Sequence, residues 1–299
     1  MKITGRKHHL TVGDALITAA LLGCGGNTPA VTTPPPPVTP PTITWTQVWS
    51  EEFDGPAGSA VDNTRWSYDL ADGCQNNNCG WGNNEKEYYT SAGENISLNG
   101  EGQLVIVARV APSGLNCYYG ACRYTSAKIH TRGKVLAQPG RVEARIKLPK
   151  GQGLWPAFWM LGATLPATPW PDCGELDIME NKGSEPMISS SAIHGPGYSG
   201  NTPFQHRQVQ ASANLTDDFH VYGVEWDSLS VKFTVDNVAH YTVTRDEFRP
   251  YGRSILAQPY FIILNLAVGG HFDGDPASDT IFPATMLVDY VRIYKGEKQ

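Results

Sequence analysis

The chain is short of several things, and each shortage removes a class of function. No stretch of Lys and Arg follows the first seven residues, and the formal net charge of the 299 residues is −6. A nucleic-acid binder usually carries a basic stripe, and a polyanionic substrate favours a basic cleft, so the balance points to a neutral ligand. Beyond the N-terminus no apolar run approaches the roughly 20 residues that a membrane-spanning helix needs. No internal repeat is present, which argues against a propeller. From Thr44 onward there is no helical periodicity. Neither a CxxC pair nor a His pair at ligand spacing accompanies the six cysteines, which leaves no transition-metal signature.

What is present begins with an export signal. Lys2, Arg6 and Lys7 precede ALITAALLG at 15–23, a core of signal-peptide length, interrupted only by Asp14 in front of it. The run ends Leu21-Leu22-Gly23-Cys24 and resembles a bacterial lipobox, although Leu22 departs from the small or β-branched residue usual there. The alternative is an ordinary signal peptide with a chance cysteine. The segment TPAVTTPPPPVTPPT (28–42) holds seven prolines and cannot build a core. As polyproline II it would be a spacer of roughly 45 Å. The expected organisation is a signal peptide at 1–24, a Pro/Thr-rich linker at 25–43 and a catalytic domain at 44–299. It places the protein outside the cytoplasm, as a surface or outer-membrane lipoprotein or as a secreted enzyme, and as a monomer. Export makes disulfides the natural state of Cys74, Cys79, Cys117 and Cys122, which sit in two short loops (CQNNNC and CYYGAC). The spacing leaves the pairing between the loops open. Cys173 is left over and reads as a buried structural thiol.

The domain reads as all-β. Val142, Ala144, Ile146 and Leu148 alternate with charged or polar neighbours, as do Val231, Phe233 and Val235. Residues 103–110, 259–268 and 287–294 are further strands, separated by Gly, Asn, Asp and Pro clusters. Many short strands of this kind indicate a sandwich or barrel.

The chemistry is concentrated in GELDIMEN at 174–181. On a regular strand Glu175 and Asp177 share one face and Glu180 the other. A one-residue bulge after Asp177 returns Glu180 to the face of Glu175. Three acids on one face repel, and nothing in a stable core needs them there. The competing reading is a solvated acidic edge strand, which the interleaved Leu176, Ile178 and Met179 oppose. Two carboxylates astride a glycosidic bond are what sugar hydrolysis requires, and a retaining enzyme holds them about 5–5.5 Å apart. Crowding must raise the pKa of at least one of them, which supplies the general acid.

These residues make the chain similar to glycoside hydrolase family 16, and within it to the laminarinase-type endo-β-1,3-glucanases. GELDIMEN resembles the family signature in the form with the extra, bulge-forming residue. Family-like segments follow in family order over 44–299: SEEFDG (50–55), GWGNNEKEYYT (80–90), YTSAKIHTRGK (124–134), GLWPAFWMLG (153–162), FHVYGVEWD (219–227), LNLAVGG (264–270) and VDYVRIY (288–294). The resemblance implies a β-jelly-roll sandwich of two antiparallel sheets with a concave cleft. It implies retaining endo-hydrolysis of β-1,3-glucan, with Glu175 as nucleophile, Glu180 as acid/base and Asp177 assisting. It places Asn84, Arg132, Trp155, Trp159, Trp170 and His194 against the sugar. No catalytic cofactor is implied. A structural calcium is, held by the Glu52 and Gly102 carbonyls and by Asp289. The alternatives are a mixed-linkage β-glucanase or an agarase- or carrageenase-like galactanase of the same fold, and a non-catalytic β-glucan-binding protein.

Overall fold

The computed structural model describes residues 43–200, 204 and 207–298. The signal segment, the lipobox cysteine and the linker up to residue 42 lie outside the described residues. The first strand, Ile43–Glu51, starts one residue ahead of the expected domain boundary.

Alternating sequence becomes two stacked sheets. The larger has ten strands. Its middle is Gly140–Lys147, paired on one side with His220–Trp226 and on the other with the long C-terminal strand Ala284–Lys298. The smaller sheet has seven strands in the order Arg207–Gln210, Ile188–His194, Glu175–Glu180, Leu154–Gly162, Tyr260–Val268, Lys128–His130, Ser67–Asp69. Pairing is antiparallel apart from Glu87–Tyr89 beside Tyr124–Ser126. This is the expected all-β sandwich.

The core lies between the sheets. Val142, Ala144 and Ile146 are fully buried there, and so are Val231 and Phe233. Each of the Val, Ile and Phe side chains contributes roughly 1.5–3 kcal/mol by leaving water. Tyr260–Val268 is buried along its whole length, because both of its faces are used. Tyr260, Ile262, Leu264, Leu266 and Val268 point into the core, while Phe261, Ile263, Asn265 and Ala267 form the floor of a cleft. Among the described residues there is one α-helical turn, Arg245–Phe248, closed by a capping box between Thr244 and Glu247.

Cys74 pairs with Cys79 and Cys117 with Cys122, so each loop closes on itself. Cys173 is a buried free thiol, and burial raises its pKa to about 11. That inertness fits the structural role.

Candidate active site

The strand Glu175–Glu180 carries the bulge that its spacing demands. Against Leu154–Gly162, Trp159 faces Asp177, and the next partners are Phe158 with Met179 and Ala157 with Glu180. Ile178 is therefore the extra residue. Glu175, Asp177 and Glu180 oppose Leu161, Trp159 and Ala157, which alternate on one face of the neighbouring strand. The insertion deprives the Ile178 carbonyl of a ladder partner, and the Ser191 hydroxyl donates to it at 2.9 Å. Both ends of the motif are fixed by their own chemistry. Gly174 has φ +83°, and a Cβ there would stand 2.5 Å from Gln258 Nε2 and 3.0 Å from Ile255, so neither the dihedral nor the space admits another residue. Asn181 donates to the carbonyls of Ile188 (2.7 Å) and Glu185 (3.1 Å), holding the turn that follows.

The three acids project to where two lobes of one groove meet. One lobe, of about 640 Å³, runs over Trp159, Lys128 and Arg132 toward Trp81. The other, of about 450 Å³, runs over Phe272, Lys182 and His271. Glu175, Asp177, Glu180, Trp155 and Asn83 belong to both. A chain threaded along the groove would have its bonds drawn across the carboxylates.

Each acid has a defined partner. Trp170 Nε1 donates to Glu175 Oε2 at 3.0 Å, and Trp155 Nε1 donates to Glu180 Oε1 at 3.0 Å. His194 Nε2 lies 3.2 Å from Asp177 Oδ2 and 3.6 Å from Glu175 Oε1. Burial, aided by repulsion from Asp177, lifts Glu175 to about 8 and Glu180 to about 8. Burial lifts Asp177 to about 8 as well. Crowding alone asks for one raised carboxyl; the groove raises all three because desolvation acts on each of them. Glu175, Asp177 and His194 offer ligand atoms within 4.8 Å of one another. The pairing of His194 with Asp177 at 3.2 Å already accounts for this proximity.

Most of the expected sugar-facing residues line the groove. Trp155 stacks on Phe272 with centroids 4.8 Å apart. Trp159 donates to Asn265 Oδ1 at 2.7 Å. Trp170 is half exposed at the rim, its ring 6.0 Å from that of His194. Arg132 is exposed along the longer lobe. Asn84 differs from expectation. Its carboxamide oxygen accepts from Lys86 Nζ (2.7 Å) and Tyr118 Oη (2.8 Å), and the groove is lined by Asn83 instead. Sequence reasoning also missed Lys128, whose ammonium lies over the rings of Trp81 (4.4 Å) and Trp159 (5.0 Å). Asn265 was signalled only by being the one amide in an otherwise apolar strand.

Of the residues expected to hold calcium, Gly102 lies beside Glu52: a Cβ on Gly102 would stand 3.7 Å from the Glu52 carbonyl and 3.6 Å from Asp54 Oδ1, oxygens of the type calcium takes. The Glu52 carboxylate is committed to Arg292, and Asp289 Oδ2 to Arg145 at 2.7 Å.

The profile of Glycosyl hydrolases family 16 matches residues 75–292. A β-glucanase of Rhodothermus marinus is 36% identical over 84% of this chain and 85% of its own. Two solved structures share the fold with a TM-score of 0.78. They are the laminarinase catalytic domain of Thermotoga maritima (39% identity, 84% of this chain, 98% of that one) and the endo-β-1,3-glucanase of Pyrococcus furiosus (42%, 85% and 96%). With the bulged acid strand and its groove, these matches place the chain in glycosyl hydrolase family 16.

Proposed function

We propose that the protein is a retaining endo-β-1,3-glucanase acting on laminarin-type glucans. The observation that carries the reading is the bulge at Ile178, which turns both Glu175 and Glu180 into one groove. In this mechanism Glu175 attacks the anomeric carbon as a carboxylate, the form that His194 and the Trp170 N–H favour against burial, while Glu180 gives its proton to the departing glycosidic oxygen. The product is a glycosyl ester on Glu175, with the first sugar fragment released. The ester is neutral, so the pKa of Glu180 falls. Glu180 then takes a proton from water as that water displaces Glu175, restoring both carboxyls and the β configuration. Asp177 and His194 orient the nucleophile. Trp155, Trp159 and Trp170 present ring faces to the sugars, with Asn83 and Arg132 as polar contacts.

The β-1,3 preference is supported by the names of the similar proteins and by a groove in which the acids Asp69, Glu85, Glu175, Asp177 and Glu180 outnumber the bases Lys128, Arg132 and Lys182. A purely binding role is disfavoured by the presence of all three acids. Reducing ends released in parallel from laminarin, lichenan, agarose and carrageenan test the reading. The expected result is fastest release from laminarin; strong release from agarose with none from laminarin would overturn it.

We also propose export through residues 1–24 with lipidation at Cys24 and a linker that holds the domain off the surface, supported by the sequence. A structural Ca²⁺ would be held by the carbonyls of Glu52 and Gly102 and by Asp289 through Oδ1, where it would tie the first strand to the last.

A further inference from the structure

At the groove wall lies a second pair of carboxyls for which the mechanism has no use, Glu85 lining the groove and Glu87 set behind it. Glu85 is 5% exposed and Glu87 is 1% exposed. They sit on the segment Asn83–Tyr89, which packs so closely on the strand end at 269–270 that a Cβ on Gly270 would stand 2.9 Å from the Asn83 carbonyl.

The hydrogen bonds there run one way. Trp159 Nε1 has only a proton to give, so Asn265 must turn its oxygen to it at 2.7 Å. The Asn265 amide then donates to Tyr89 Oη at 3.1 Å. Tyr89, having accepted, points its proton at Glu85 Oε2, 3.4 Å away. Asn83 Nδ2 donates to Glu85 Oε1 at 2.9 Å, and Asn83 lines the groove. Glu85 is thus the acceptor at which two chains of donors end.

Of the pair, Glu87 holds its proton the more tightly. Its Oε2 accepts the Val268 amide at 2.7 Å. Burial and the neighbouring Glu85 charge hold its carboxyl well above the usual range. Burial also raises Glu85, but contact with Glu87, the Lys128 ammonium and the amide of Asn83 oppose this. The last proton therefore stays on Glu87.

We infer that Glu85 is a positioning residue for the reaction: its carboxylate fixes the Asn83 amide and the Trp159 ring that line the groove, and its charge lies within range of Glu180. The inference rests on the proposed glycanase activity. The charged groups that act on Glu180 are Asp177, His194 and Glu85, together with Glu175, which Glu180 raises in turn. Those that act on Glu85 are Glu87 and Lys128.

The test compares the full-length parent with Glu85→Gln, Glu87→Gln, Asn83→Ala and the Asn83→Ala/Glu85→Gln double variant. Laminarin hydrolysis is followed across pH, and thermal unfolding checks the fold. Glutamine keeps the shape of Glu85 but turns an N–H toward Tyr89 Oη, which already accepts one. Misplaced groove groups should cost Glu85→Gln about 10²-fold in kcat/KM. Loss of a negative charge near Glu180 should move the upper limb of the pH profile to lower pH. Asn83→Ala should add less to Glu85→Gln than it costs alone, because the two act as a unit. Glu87→Gln, which mimics the neutral acid, should keep the parental profile. A folded Glu85→Gln variant with the parental profile, or fully multiplicative losses in the double variant, would overturn the inference alone. An inactive parent would overturn the proposed activity, and this inference with it.

Discussion

Glu175→Gln is expected to fold normally and to lose on the order of 10⁴-fold or more of its turnover on laminarin, the scale seen when a covalent nucleophile is removed. The amide keeps the volume of the carboxylate, and its oxygen still accepts the Trp170 indole N–H. What disappears is the electron pair that attacks the anomeric carbon. Glu180→Gln should cost about 10²–10⁴-fold, the range for a lost general acid, and the loss should shrink for aryl glycosides whose leaving group needs no proton. Azide separates the two roles. In Glu180→Ala it needs no base to displace Glu175 from the glycosyl ester and should give the β-azide. In Glu175→Ala it attacks the substrate itself and should give the α-azide. The same azide anomer from both variants would show that the roles are misassigned.

The second large effect is on stability. Glu175, Asp177 and Glu180 have ordinary values of 4.5, 3.8 and 4.5, and the folded protein raises each to about 8. Between these limits the native state binds more protons than the unfolded chain. Stability is therefore greatest below about pH 4 as far as these groups are concerned, and it is lost as pH rises toward 8. A tenfold change in proton affinity corresponds to about 1.4 kcal/mol. The Glu175 side chain retains 13% of its exposure to the groove, which moderates the cost. Glu175→Gln replaces a titrating carboxyl with an amide that stays neutral at every pH, so it removes a charge only where the parent carboxyl is ionised. Its Tm should exceed that of the parent at pH 8, by on the order of 2 kcal/mol or about 4–8 °C, and the difference should vanish near pH 4. Equal melting temperatures at pH 8 would show that the acids are not electrostatically strained. The inactive variant being the more stable one is the trade expected of a site built for reaction.

How far the sequence could be read follows from the same physics. Strand alternation made the sandwich legible, because Val142, Ala144 and Ile146 must share a face. The bulge was legible too, since Glu180 lies five positions after Glu175, an odd spacing, and only an insertion puts both on one side. Trp155 and Trp159, four apart on a strand, follow by parity. Asn83 did not. It lies in a loop where Gly80, Trp81, Gly82 and Asn84 all have left-handed φ between 53° and 82°, and no two-residue period predicts which side chain faces the groove. Glu85 and Glu87 were opaque for a related reason: their significance comes from Tyr89, Asn265 and Trp159, which are brought together from three separate segments. The state of the three acids was half legible. Repulsion follows from their spacing, whereas the larger contribution, burial, comes from walls that other segments supply.

The most direct test of the central claim is the configuration of the first product. Proton NMR of laminarin during the opening minutes of hydrolysis, before mutarotation, should show the new reducing ends as β-anomers. That outcome follows from two inversions, one at Glu175 and one by water that Glu180 activates. New reducing ends that appear first as α-anomers would mean a single inversion, and would contradict the covalent role assigned to Glu175.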